Sequence, residues 1–155
     1  MWRRFLTVAL LALAAAASAA ELPVVGILAM GTDPSAKVAR WLGFHERLRE
    51  LGWRDGENVR LWPRFAAMDP AKAEAILGEF VQAKVAVIVT TGTGEALAAK
   101  RATSTIPIVM LHVLDPVELG LIQSLARPGG NITGRTQIVS GLSGKLLELI
   151  SQMVP

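Results

Sequence analysis

The sequence predicts an α/β fold, in which a doubly wound parallel sheet is covered by helices on both faces. After the first twenty residues, short apolar runs alternate with longer stretches whose apolar residues recur at helical spacing. The run Val85–Thr90 is almost continuously apolar and rich in β-branched residues, as expected of a strand buried on both faces. Alternation of this kind is typical of parallel strands joined by right-handed helical connections.

Each predicted element has a local reason in the sequence. Gly52 is a suitable stop for the first helix, and Asp69 and Pro70 are a favourable N-cap and first helical residue for the second. The second strand is more polar than the others and is placed near an edge of the sheet. The predicted strands are 24–29, 59–65, 85–90, 106–111 and a short one that starts at Ile132; the predicted helices are 34–51, 70–82, one following Gly94 up to 103, 117–125 and 142–154.

Residues 1–20 have the layout of a secretory signal peptide. Arg3 and Arg4 form a basic start, 5–17 are apolar, and 17–20 are the small residues that a signal peptidase reads. The apolar stretch is shorter than the ~20 residues that span a bilayer, although an uncleaved anchor is the alternative reading. We expect cleavage beside Ala19 or Ala20 and a mature protein that is periplasmic or secreted.

The composition excludes several classes of function. The chain has 16 Lys and Arg residues against 13 Asp and Glu. Without Arg3 and Arg4 the basic count is 14, which leaves a net charge of only +1 and no clustered basic footprint for nucleic acid. There is no Cys, so disulfides, thiol chemistry and Cys-based metal sites are not available. Roughly 135 mature residues suffice for one domain with a core.

Candidate binding residues follow the predicted strands, because ligands of open parallel sheets bind at the carboxyl ends of the strands. The loop Thr91–Gly94 offers two hydroxyls and two glycines at a helix N-terminus, which suits an anion such as a carboxylate or a phosphate. The same glycines could serve only a tight turn. Asp33, Asp69 and Asp115 each precede Pro and suit helix caps, but Asp115 could equally face a ligand ammonium group.

No catalytic, metal or cofactor site is predicted. His45 lies among surface arginines, and His112 at a strand end is expected to be a hydrogen-bonded core residue. The loop Thr91–Gly94 has neither the Lys of a Walker loop nor the spacing of a dinucleotide fingerprint. No nucleophile and base can be paired, so we do not expect an enzyme.

Four segments resemble one protein family. They are 48–59 (LRELGW, then GENV), 98–109, 115–134 (with SLARPGGNITG) and 142–149. They are similar to periplasmic ABC-transporter substrate-binding proteins of the kind often described as tryptophan/tyrosine-permease-like, which have the type I periplasmic-binding fold. The resemblance covers nearly all of the mature chain, with one departure: Gly94 stands where the family commonly has Pro or Ala.

The resemblance implies a two-lobed protein that closes on a small amino-acid-like or organic ligand and delivers it to an ABC permease in the inner membrane, without a cofactor. It implies a first lobe at 21–135, and at 136–155 the crossover and first helix of a second lobe that the chain lacks. The alternatives are a small secreted α/β enzyme that holds phosphate at Thr91–Gly94, or a fragment without function. The candidate ligand-binding residues are Thr32, Thr91, Gly92, Thr93, Gly94 and Asp115.

Overall fold

The computed structural model describes residues 21–32, 38–137 and 142–153. In these ranges the strands are β1 (Val24–Ala29), β2 (Arg60–Phe65), β3 (Val87–Thr90), β4 (Ile108–Leu114) and β5 (Ile132–Gln137). The helices are α1 (Val38–Glu50), α2 (Pro70–Gln82), α3 (Thr93–Ala102) and α4 (Leu142–Met153). The predicted signal peptide and the predicted cap at Asp33 lie outside the described residues.

The five strands form one parallel sheet in the order β2-β1-β3-β4-β5. From β1 the chain goes outward to β2, and then it returns past β1 to β3, after which the strands follow in sequence. The order therefore reverses between β1 and β3, where Val25 lies opposite Val87. In an open parallel sheet such a reversal opens a crevice at the carboxyl ends of the two strands.

Both faces of the sheet are covered, as the predicted doubly wound fold requires. Ile88 of β3 belongs to a buried cluster with α2 and α3, whereas Val89, whose side chain points to the opposite face, is also buried. The cluster on the first face comprises, among others, Leu28, Ile76, Leu77, Phe80, Ala96, Ala99, Ile108 and Met110. Burial of successive residues explains why the strands are continuously apolar.

The second strand lies at the edge of the sheet, as its polarity predicted. Asp55 Oδ1 accepts a hydrogen bond of 2.8 Å from the backbone N–H of Leu61. Pro63 has no N–H to offer. The predicted cap of α2 is also confirmed, because Asp69 Oδ1 accepts from the N–H groups of Ala71 and Lys72 at 2.9 and 3.3 Å.

The predicted helix at 117–125 does not form. The chain makes a turn instead, in which the N–H of Leu121 donates to the carbonyl of Pro116 at 2.8 Å. Asp115 just before the turn and Gly120 at its end have positive φ angles, +40° and +64°. A left-handed residue at each end restricts the segment to about one turn, so its apolar spacing does not lead to a helix.

The fourth strand is longer than predicted and continues past residue 111 to Leu114. It does so through an irregularity between Met110 and Val113, where His112 has a φ of +55°. The bulge redirects the strand, and His112 is half-buried there rather than at the end of the strand.

The last helix, α4, exposes apolar side chains. Leu149 and Ile150 are about half exposed and Met153 is 81% exposed. This is the apolar stripe expected of a helix that packs on further structure.

We predict that Gly26→Ala destabilises the fold and that Gly78→Ala does not. A Cβ at Gly26 would lie 2.8 Å from the fully buried ring of Phe80, so the ring or the strand has to move, at a cost of about 1–3 kcal/mol. A Cβ at Gly78 in α2 meets nothing within 4 Å, and Ala is the better helix former there. Thermal unfolding of both variants checks this, and equal melting temperatures would contradict the packing described for β1.

Candidate functional site

The carboxyl ends of β1, β3 and β4 meet at one edge of the sheet, around the reversal of strand order. The N–H of Thr91 donates to the carbonyl of Leu28 at 3.3 Å, which joins the end of β3 to β1. On the other side, Thr93 Oγ1 accepts from the N–H of Leu114 at 3.2 Å, which joins the start of α3 to β4. The segment Thr91–Gly94 therefore lies between the ends of β1 and β4, with Asp115 next to Leu114.

Helix α3 points its N-terminus at this edge. Gly92 is its N-cap and Thr93 its first residue, so it begins slightly earlier than predicted. The backbone N–H groups of a first helical turn have no partner within the helix and carry the positive end of its dipole. The loop Thr91–Gly94 therefore lies at a helix N-terminus, as expected, and its role in accepting an anion stays a prediction.

The most constrained side chain at this edge is one that sequence reasoning missed. Glu95 is only 4% exposed. Its Oε1 accepts two hydrogen bonds, from the N–H of Met30 at 3.0 Å and from Thr91 Oγ1 at 2.9 Å. The carboxylate thereby bridges the ends of β1 and β3 across the switch point. The available signal was its position three residues after the N-cap, where Glu commonly faces the helix start.

Gly92 makes room for that carboxylate. A Cβ at Gly92 would lie 2.8 Å from Glu95 Oε2. The φ of Gly92 is −164°, an extended conformation that any residue adopts, so space and not backbone strain requires glycine here. The surroundings of Gly94 are open, with nothing within 4 Å of an added Cβ. Of the two glycines in this loop, Gly92 thus has a packing role.

The two threonine hydroxyls of the loop differ in what they can offer a ligand. Thr91 Oγ1 gives its hydrogen to the Glu95 carboxylate and retains only acceptor capacity. Thr93 Oγ1 accepts from Leu114 and keeps its own hydrogen to donate. Thr90, just before them, is fully buried, and within the described part of the chain its hydroxyl has no hydrogen-bond partner.

The remaining predicted residues lie at the same edge. Thr32 follows β1 and is exposed. Asp115 follows β4, where its N–H donates to the carbonyl of Gln137 at 3.2 Å and its carbonyl accepts from Leu119 at 3.2 Å. Its backbone thus ties the end of β4 to that of β5 and to the turn that follows.

A second concave surface lies at the opposite end of β2. It is a polar cavity of about 390 Å³ whose lining includes His45, Trp53, Arg54, Asp55 and Glu57. Arg54 pairs with Glu57 at 3.3 Å. Asp55 holds the backbone of Leu61, as described above. These charged groups stabilise the turn before β2 and lie away from the switch point.

Among the described residues, no cluster of three His, Asp or Glu side chains could hold a metal ion. None of the helices in that part of the chain is both long and apolar enough to traverse a bilayer.

An α/β sheet with a hydroxyl-rich helix N-terminus at its switch point is an arrangement in which ligands commonly bind. Residues 24–155 match the family described as ABC transporter substrate binding protein. The chain belongs to this family. Its relatives in the family are substrate-binding proteins and not enzymes.

The relatives are about twice as long as this chain or longer. A tyrosine-binding protein of Clostridioides difficile (strain R20291) is 37% identical over 131 residues, which are 84% of this chain and 37% of that protein. A ligand-free, open substrate-binding protein with adhesive properties from Clostridium difficile has a TM-score of 0.70 at 33% identity, covering 83% of this chain and 43% of that one.

Two further solved structures share the fold. A conserved domain protein from Vibrio cholerae has a TM-score of 0.73 at 31% identity, over 87% of this chain and 45% of its own. An ABC domain in complex with L-Trp from Streptococcus pneumonia has a TM-score of 0.67 at 26% identity, over 75% and 39%. The chain thus spans less than half the length of each of these relatives.

We predict that Gly92→Ala disrupts the Glu95 bridge, whereas Gly94→Ala leaves it intact. The added methyl at position 92 collides with Oε2 and pushes the carboxylate away, at a cost of about 1–3 kcal/mol. The methyl at position 94 meets open space. Chemical unfolding gives the stability of both variants. Amide exchange at Met30 reports the bridge directly, and unchanged protection at Met30 in Gly92→Ala would contradict the assignment.

Proposed function

We propose that this chain is the ligand-binding N-terminal lobe of a solute-binding component of an ABC importer, and that its ligand is a small amino-acid-like molecule. One observation carries the proposal: the N-terminus of α3 is fixed to β4 by the Thr93–Leu114 hydrogen bond, immediately beside Asp115. The arrangement offers an anion-accepting group and a carboxylate at one edge. Two relatives, a tyrosine-binding protein and a protein in complex with L-Trp, support the ligand class.

The proposed binding mode follows from the polarity of the groups. The ligand carboxylate would accept from Thr93 Oγ1 and from the N–H groups of the first turn of α3, and the ligand ammonium would donate to Asp115. Charge-assisted hydrogen bonds of this kind are about twice as strong as neutral ones. Thr32, Thr91, Gly92 and Gly94 would form the remaining wall on this side.

Affinity would depend on a second wall. Good pockets bury about 70–90% of a ligand's surface, and one sheet edge cannot do so. Since the relatives are at least about twice as long, we propose that 136–155 leads into a second lobe in proteins of this kind, with the exposed stripe of α4 as part of that connection. The lobe alone would bind at millimolar concentrations or more weakly.

We expect Asp115→Ala and Thr93→Val each to weaken amino-acid binding by about tenfold, since each removes one charge-assisted hydrogen bond. The measurement is calorimetry against a panel of amino acids and small organic acids, on a chimera that adds the second lobe of a close relative. Glu50→Ala and Thr105→Val are the matched controls, because both lie on exposed surface away from this edge. Unchanged affinity in both site variants would refute the site while leaving the family intact.

We further propose that residues 1–20 export the protein and that its partner is an ABC permease in the inner membrane. Members of this family are typically extracellular or periplasmic. The basic start, the apolar stretch and the small residues at 17–20 are the support for export.

The expected result is a mature N-terminus at or next to Ala20 in the fraction outside the cytoplasm. N-terminal sequencing of the protein expressed in a bacterium with an outer membrane provides the measurement. Replacing Ala17 and Ala19 together by bulky residues should block cleavage, since the peptidase reads small side chains. A product that retains Met1 would exclude the signal peptide.

A further inference from the structure

We propose that Glu95 makes this site select its ligand chiefly by a cationic amine and makes the ligand's carboxylate secondary. The inference rests on the proposed function and refines its ligand class, from amino acids to primary amines that include the decarboxylated forms of amino acids. Three observations at the switch point support it: the burial of Glu95, the donors it occupies and the charge of the surrounding loops.

The first observation is a buried carboxylate that has no cationic partner among the described residues. Glu95 is 4% exposed, and its two hydrogen-bond donors, the Met30 N–H and the Thr91 hydroxyl, are both neutral. The ion pairs among the described residues join exposed side chains, and none includes Glu95. Glutamates are almost never fully buried unless they are paired. A ligand ammonium at this edge would supply the missing positive charge.

The second observation concerns the donors that a ligand carboxylate would need. Glu95 already occupies the Met30 N–H, and it takes the hydrogen of Thr91 Oγ1. Its carboxylate also lies in the first turn of α3, close to the positive end of the helix dipole, and therefore offsets part of the attraction for a second anion. Thr93 is the loop hydroxyl that still has a hydrogen to donate.

The same hydrogen bond prepares Thr91 for a cation. With its hydrogen fixed on Glu95, Thr91 Oγ1 presents only lone pairs, and Thr91 is half-buried rather than sealed from solvent. An ammonium group has three hydrogens, so a ligand that donates one to Asp115 can donate another to this oxygen, with the negative charge of Glu95 behind it. Thr91 and Glu95 together act as one hydrogen-bond acceptor, whose orientation is fixed before the ligand arrives.

The third observation is the charge of the described part of this edge. The described residues at the carboxyl ends of β1, β2, β3 and β4, at 30–32, 66–69, 91–95 and 112–115, contain the acids Asp69, Glu95 and Asp115 and no Lys or Arg, and Lys72 follows in the first turn of α2. Lys100, the nearby lysine of α3, donates its Nζ to the carbonyl of Gly120. An edge with an excess of one sign of charge attracts the opposite ion and repels its own.

Three ligands that share the indole side chain test the two charges of an amino acid one at a time. L-tryptophan has both, tryptamine lacks the carboxylate, and indole-3-propionate lacks the ammonium. Titration of the isotope-labelled chain by NMR measures each dissociation constant, even in the millimolar range. We expect tryptamine to bind within about tenfold of L-tryptophan, since it loses the carboxylate that Thr93 would bind, and indole-3-propionate to bind at least about tenfold more weakly than tryptamine, as the loss of the ammonium's charge-assisted hydrogen bonds implies.

The variants isolate Glu95 from the rest of the edge. In Glu95→Gln, which keeps the size and the acceptor oxygen, the ratio of tryptamine to indole-3-propionate affinity should fall by about tenfold. Glu95→Asp should retain most of the preference for the amine. Glu74→Gln is the control, since it removes the same charge from an exposed side chain of α2 and should leave the ratio unchanged.

Each outcome decides the question. If L-tryptophan binds but the ratio in Glu95→Gln equals that of the parent chain, Glu95 is only structural and the inference is wrong, while the proposed function stands. If the parent chain binds indole-3-propionate as well as tryptamine, the inference is wrong even where Glu95→Gln does not fold. If none of the three ligands binds the parent chain or the two-lobed chimera, the proposed function fails and the inference with it.

Discussion

The pair of hydrogen bonds accepted by Glu95 is the constraint on which the binding edge depends. They hold the end of β1 and the end of β3 at a fixed separation, at the one place where the order of strands reverses. The bridge requires a side chain from the first turn of α3, so it also fixes where that helix starts. The helix in turn holds β4 through Thr93, which places Asp115 beside it. A change in the position of one carboxylate would thus reach three strands and helix α3.

Much of the scaffold could be predicted from the sequence because its cause is local. Apolar runs reveal buried strands, and Asp69 before Pro70 marks a helix start whether or not anything else is known. The segment 117–125 misled the prediction because its apolar spacing suits a helix, while the left-handed conformations at Asp115 and Gly120 that prevent one are set by the bulge and turn around them. The direction of the chain at such points depends on the neighbouring strands. The spacing of apolar residues along the sequence carries no information about those strands.

The role of Glu95 could not be derived from the sequence for a related reason. Its partners, Met30 and Thr91, are 65 and 4 residues away, and the longer contact exists only because β1 and β3 are neighbours in the sheet. The segment Thr91–Gly94 was predicted to be a binding element from its composition. Which of its glycines makes room for a neighbour, and which of its hydroxyls has a hydrogen left to give, are properties of the folded edge.

The edge strand β2 also decides how this sheet can be extended. In a parallel strand alternate residues turn their backbone groups to opposite sides. Arg60 donates its N–H inward to the carbonyl of Pro23, so Leu61 and Pro63 face outward. The outward N–H of Leu61 is already bound by Asp55, and Pro63 has none. A strand from another chain, or from elsewhere in a longer one, finds few free donors at β2. The hydrogen-bond donors of β2 thus leave this side of the sheet poorly suited to extension by a further strand.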